Sequence, residues 1–172
     1  MGYVGNLYFW EKIIKLIDIS PMLDIDIYIA GSSEHEEYLK KYCDSMQNIT
    51  FIGKYNFEKD IASIYSNIDC IFAQYDTKSK NVSIALPNRL YDAAMCGIPL
   101  IVSKGTKLSE VVDKYNLGIS VKDDDSASLM SAIKILKSKP IDFYIDSSRE
   151  FISDVCKIDY NEMLRNKYTN FI

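Results

Sequence analysis

The sequence predicts an α/β fold: a doubly wound parallel sheet of six strands, helices on both faces and a C-terminal helix pair. Two observations carry this. Short aliphatic runs, several ending in glycine, alternate with stretches whose apolar residues recur at helical spacing. That alternation continues to Pro140, without an internal repeat, a low-complexity segment or a flexible linker. Residues 1–172 are expected to form a single domain, with 141–172 as a helical tail packing back on it.

Each element has its own signal. GYVG is a short strand that stops at Gly5. FWEKIIKLIDIS places Trp10, Ile13, Ile14 and Ile17 at the spacing of one helix face. DIDIYIAG alternates Ile25, Ile27 and Ile29 before Gly31, the pattern of a strand. EHEEYLKKYCDSM runs from acidic to basic, the order a helix dipole favours. ITFIG is the third strand, and FEKDIASIYSNI a helix with Phe57, Ile61, Ile64 and Tyr65 on one side. DCIFAQY is the fourth strand, and the polar stretch DTKSKNVSIAL is expected to be a loop. A helix follows from Pro87 to Cys96, then the strand PLIVS. KLSEVVDKYNLG reads as a helix capped by its glycine, and ISV as the sixth strand. SASLMSAIKILKS is a helix with Ser126 as N-cap, broken by Pro140. The remainder, from Ile141 to Ile172, reads as two helices.

Composition excludes several classes. With a net charge of −4, no global basic field exists to hold nucleic acid. No apolar segment approaches the length of a membrane span. The opening MGYVGNLYFWEKII lacks a basic leader and a cleavage site, so the expected compartment is cytoplasmic. The longest acidic run, Asp123-Asp124-Asp125, is expected to be a solvated loop. The spacings of Cys43, Cys70, Cys96 and Cys156 match no zinc ladder and no redox pair, and three of the four lie within apolar patterns. The single histidine, His35, cannot build a His-centred metal site, so no metal is expected.

In a doubly wound sheet, ligands bind beyond the carboxyl ends of the strands, near the switch in strand order. The loops after Gly5, Gly31, Gly53 and Tyr75, and the start of the helix at Pro87, are therefore the candidate site. The stretch PNRLYDAAMCGIPLIV is the most informative. Proline suits a first helical turn, where its missing N–H would be unpaired anyway. The free N–H groups of that turn attract an anion, and Arg89 beside Asn88 adds a cation that forks onto phosphate oxygens. Asp92, one turn on, would repel a phosphate, so paired sugar hydroxyls are its natural partner. The competing reading makes Arg89 and Asp92 an i,i+3 surface pair worth a few tenths of a kcal/mol, roughly.

PNRLYDAAMCGIPLIVS resembles the PNKLFEYMACGKPVI stretch of family-4-like glycosyltransferases of group 1, which have the GT-B fold. YVGNLYFWEKIIKLIDI, DIYIAGSSEHEEYLKKY, NITFIGKYNFEKDIASIYSNIDCIFAQY and GTKLSEVVDKYNLGISV resemble further stretches of the same Rossmann-like, donor-binding domain, in the same order. SSREFISDVCKIDYNEMLRNKY is similar to the family's closing helix pair. The resemblance implies a hexosyltransferase whose C-terminal half binds a UDP- or GDP-linked sugar and which builds a polysaccharide or glycolipid, with no further cofactor. It implies that Asp92 holds the ribose, as the second acid of an E-x7-E motif. Asn88 and Arg89 would approach the diphosphate, Asn6 and Lys12 would serve the phosphates from the first loop, and Lys54 and Tyr55 would hold the base. Glu110 matches a glutamate near the donor sugar, with helix solvation as the competing reading.

The chain also departs from that pattern. The first acid of the motif is replaced by Ile84, with Asn81 or Ser83 as possible substitutes, and Asp92 stands where glutamate is usual. Asn6 occupies the place of an expected arginine, which leaves Lys12 and Arg89 as the cations. No catalytic residue is assigned. The partner implied is an N-terminal acceptor domain missing from this chain, which reads as half of a longer protein or of a two-chain enzyme. Any membrane association would be peripheral, through the full-length enzyme. A non-catalytic subunit completing a separate N-terminal partner, or half of a sugar-nucleotide epimerase, are the alternatives, with a receiver-like signalling domain behind them. Trp10 and Tyr8 are candidates to stack on a sugar or base, with core packing as the competing reading for Trp10, and Tyr91 and Met95 are placed in the core.

Overall fold

The computed structural model describes residues 1–156. The last sixteen residues, which include the second tail helix expected from the sequence, lie outside the described part.

Six strands alternate with helices in the order β1 (Gly2–Val4), α1 (Trp10–Leu23), β2 (Ile27–Ala30), α2 (Glu36–Cys43), β3 (Ile49–Gly53), α3 (Phe57–Ser66) and β4 (Ile71–Ala73). The chain continues with α4 (Lys80–Ile84), α5 (Asn88–Cys96), β5 (Leu100–Ser103), α6 (Lys107–Lys114), β6 (Gly118–Val121), α7 (Ser126–Ser138) and α8 (Ile141–Cys156). All strand pairs are parallel, and the sheet order is β3-β2-β1-β4-β5-β6. The order reverses between β1 and β4, which pair at Gly2 and Ile71. The crevice beyond this pair is where a doubly wound sheet binds ligands.

Strand periodicity divides the core in two. Tyr3, Ile27, Ile29, Phe72 and Ile101 face one side and pack with Ile13, Ile17, Leu39 and Ile133 of α1, α2 and α7. Their neighbours Val4, Ala30, Ile71, Ala73, Leu100 and Val102 face the other side, against Ile64, Leu90, Ala93 and Val112 of α3, α5 and α6. These strands are buried on both faces and so read as continuous aliphatic runs. Phe151 carries α8 onto the second cluster.

Several expectations need local correction. Pro21 lies inside α1 rather than ending it. A proline removes the N–H that would bond the carbonyl four residues back. Here the Ser20 hydroxyl donates to that same Ile17 carbonyl at 2.8 Å, so the acceptor stays paired. α4 forms within the stretch expected to be a loop. α6 ends at Lys114, and Gly118 opens β6 instead of capping the helix. The N-cap of α7 is Asp125, which accepts from the Ser128 N–H, rather than Ser126. Tyr91 and Met95 are 39% and 72% exposed, not core. Leu90, Ala93 and Ala94 take the i, i+3, i+4 stripe that faces the sheet, leaving the flanking positions outside. Trp10 is half-buried and packs against the first cluster.

Candidate functional site

At the carboxyl ends of β1, β2 and β3, a cavity of about 260 Å³ is lined by Gly5, Asn6, Gly31, Ser32, Lys54 and Tyr55. Strand ends and glycine geometry create it. The Gly31 N–H donates to Gly53 and the Gly5 N–H to Ala30, so the three loops leave the sheet side by side. Gly5 and Gly31 have φ of 118° and 157°. A Cβ on Gly31 would lie 1.8 Å from the Gly5 carbonyl oxygen, so this approach of backbones requires glycine. The sequence-derived candidates Asn6, Lys54 and Tyr55 thus meet in one place.

Arg89 lies beneath that cavity. It starts on α5, whose buried residues belong to the second core cluster. Its guanidinium carbon is 4.7 Å from the ring centre of Tyr3, a residue of the first cluster, and 5.3 Å from that of Tyr75, just after β4. The cation therefore spans the switch in strand order. A Cβ on Gly5 would sit 2.8 Å from Arg89 Nη2, so the glycine admits the guanidinium. Nη1 of Arg89 and the hydroxyl of Tyr75 are buried, with no hydrogen-bond partner among the described residues. Burial pushes the Tyr75 phenol up to about 12, although the Arg89 charge pulls the other way. Arginine keeps its charge throughout.

Pro87 is the N-cap of α5, extended at φ −73° and ψ 151°, and no side chain caps the helix. Its first N–H groups have no helical carbonyl to bond, although that of Leu90 donates to the Pro87 carbonyl at 3.0 Å, and Asn88 is exposed. One turn on, Asp92 lines a different hollow, of about 610 Å³, between α3 and α5, with Phe57, Ile61, Tyr65, Met95 and Cys96. The Tyr65 hydroxyl donates to its carboxylate at 3.5 Å. Burial raises the Asp92 carboxyl above its usual range, opposed by Tyr65 and Arg89.

Two candidates stand elsewhere. The Lys12 ammonium is bound to the carboxylates of Asp123 and Asp124, the latter at 2.7 Å. It is nearly buried and does not reach the cavity as a free cation. The aspartate run is thus only partly the solvated loop expected: the Asp123 side chain is 18% exposed and also accepts from Thr77 after β4, whereas that of Asp124 is 54% exposed. Glu110 is exposed, pairs with Lys107 at 2.7 Å, and borders a hollow against Tyr115 and Phe151. Sequence reading missed Tyr3 and the role of Tyr75. The available signal was a tyrosine within the first apolar run and another closing the fourth, where a buried phenol needs a polar neighbour. A further hollow of about 630 Å³ lies at the opposite end of the sheet, around Met1, Asp26, Pro99 and Tyr144, away from the loops that converge on the switch point.

Comparison with known proteins agrees with this fold. The Anabaena protein HepE, solved with UDP and glucose, superposes with a TM-score of 0.72 at 14% identity, over 98% of this chain and 48% of its own. The C-terminal domain of LpcC, a glycosyl transferase group 1 family protein of Francisella tularensis, gives 0.66 at 14% identity, over 89% of this chain and 84% of its own. At such identities these likenesses show the fold. The succinoglycan biosynthesis protein ExoL of Rhizobium meliloti (strain 1021) is 23% identical over 138 residues, which is 77% of this chain and 34% of that protein. The chain thus spans about a third of this curated relative's length. The profile of the family described as glycosyl transferases group 1 matches residues 1–138. With a six-stranded parallel sheet of the same architecture and a match over most of its length, this chain belongs to the glycosyl transferases group 1 family.

Proposed function

We propose that this chain is the donor-binding half of a glycosyltransferase. It takes a UDP- or GDP-linked sugar and serves its transfer to a saccharide or lipid-linked acceptor in polysaccharide biosynthesis. The observation that carries this is Arg89: a permanent cation placed at the strand-order switch, under Gly5, with a buried N–H that no described residue pairs. A diphosphate is the anion that suits a guanidinium beside an uncapped helix start. Asp92 then grips the ribose hydroxyls, and Lys54 and Tyr55 flank the base in the cavity beyond Gly31. The names of two relatives support the reading: HepE was solved with UDP and glucose, and ExoL takes part in succinoglycan biosynthesis.

Catalysis requires a second domain opposite this one, because reacting groups must be held in register and shielded from water. Tyr8 in the loop after β1 and Ile84 at the end of α4 are 69% and 73% exposed at this same end of the sheet, where an opposing domain would meet it. The test is a thermal-shift panel of UDP, GDP, ADP and pyrophosphate. A preferred ligand at 100 times its Kd stabilises by about 2.7 kcal/mol. Arg89→Ala should remove the shift. A flat panel overturns the donor site.

A further inference from the structure

Tyr75 is held more firmly than a loop residue needs to be. Its N–H donates to Ser103 Oγ at 2.9 Å, and the same hydroxyl donates back to the Tyr75 carbonyl at 2.9 Å. Its ring lies 5.2 Å from that of Phe9, tilted by 55°. So held, the ring faces the Arg89 guanidinium. Tyr3 takes the other contact and is fixed in turn, its hydroxyl donating to the Asn6 carbonyl at 2.8 Å. Gly5 completes the enclosure near Nη2. A long, flexible side chain is thereby confined by two aromatic rings and one backbone segment, and no carboxylate among the described residues pairs with it. A carboxylate in that place would neutralise the cation, whereas aromatic faces hold it and leave its charge for a ligand.

We infer that Tyr75, together with Tyr3, is a positioning residue: the two rings fix the direction in which Arg89 presents its N–H groups to an anion at the strand switch. The inference rests on the proposed donor site, and it assigns residues that touch the cation rather than the ligand. The unpartnered Tyr75 hydroxyl is not part of the contact with Arg89; the ring is. Removing the ring should therefore loosen Arg89, and removing only the hydroxyl should not.

The experiment uses the full chain, with UDP and pyrophosphate as probes in calorimetric titration. Tyr75→Leu should weaken both by about tenfold, the scale of a desolvated cation–π contact. Tyr75→Phe should stay within about twofold of the parent. In an Arg89→Ala background, Tyr75→Leu should have no further effect. Equal binding by Tyr75→Leu and the parent overturns the inference. So does a loss in Tyr75→Phe as large as in Tyr75→Leu, which would make the hydroxyl a ligand contact, or an additive loss in the double variant. A second readout stands apart from binding: in 15N NMR, the Nε–H signal of Arg89 should be shifted upfield from that of the exposed Arg149 by the two rings, and Tyr75→Leu should reverse part of that shift. If the parent binds neither probe, the donor site falls, and this resonance alone decides whether Tyr75 holds Arg89.

Discussion

Lys12 and Asp124 stand 2.7 Å apart across 112 residues of sequence, tying the first turn of α1 to the loop that follows β6. Asp123 shares the same ammonium, and Lys15 also reaches Asp124. With Thr77 bonded to Asp123, the start of α1 and the loops after β4 and β6 are fastened together at the end of the sheet that carries the candidate site.

This cluster sets an acid limit on stability. Hydrogen bonds from Lys12 and Lys15 hold the Asp124 carboxyl down at about 2, against 3.8 ordinarily. A depressed carboxylate contributes stability that is present above its unfolded value and lost as pH falls through the folded one. Half-exposed as it is, Asp124 is worth at most about 1 kcal/mol after screening. Urea midpoints should therefore drop between roughly pH 4 and pH 2, and Asp124→Asn should flatten that drop. Lys12→Met leaves Asp123 short of its counter-ion and should cost about 2 kcal/mol, or about 4–8 °C in Tm. Nucleotide affinity should stay within about twofold, because this cation is committed to carboxylates.

Gly5→Ala and Gly31→Ala should differ in severity. The obstacle above Gly5 is the end of a flexible arginine side chain, whereas the obstacle at Gly31 is the carbonyl of another strand loop. Both substitutions force a side chain into a positive-φ position, at a cost of about 1 kcal/mol or more. Gly31→Ala should lose clearly more stability in urea denaturation. Gly5→Ala should lose UDP affinity out of proportion to its stability.

Asp92 offers a pH test of the proposed ribose contact. Its carboxyl is raised by burial, so UDP affinity should begin to fall on acidification before an ordinary carboxylate would protonate. Asp92→Asn should bind UDP more weakly and lose this pH dependence, while its affinity for pyrophosphate is unchanged. Titrations at three or four pH values check both.

Ser103→Ala should harm the site through the backbone. It leaves the N–H and carbonyl of Tyr75 without their shared partner, costing about 1–3 kcal/mol if the groups remain buried. Thermal unfolding measures the cost, and the Arg89 Nε resonance shows whether Tyr75 has shifted.

The fold was legible in the sequence because its signals are local and repeated. Buried parallel strands leave aliphatic runs such as Ile71–Ala73 and Leu100–Ser103, and helices leave an apolar period. α4 escaped because five residues are too few to show that period, and α1 ran past Pro21 because the Ser20 hydroxyl took over an acceptor that proline had stranded. The cluster of Asn6, Lys54 and Tyr55 was legible for a topological reason: parallel strands deliver their following loops to one end.

What the sequence determined by itself was the succession of elements, hence the end of the sheet where the candidate site lies, and the family. Tertiary structure alone decided which charges stay available there. Lys12 and Arg89 are equivalent cations along the chain. Only the packed molecule places two aspartates from a distant loop on Lys12 and two aromatic faces on Arg89. A charge is quenched or kept by what lies within a few ångströms of it, and those neighbours come from strands and loops far away in sequence.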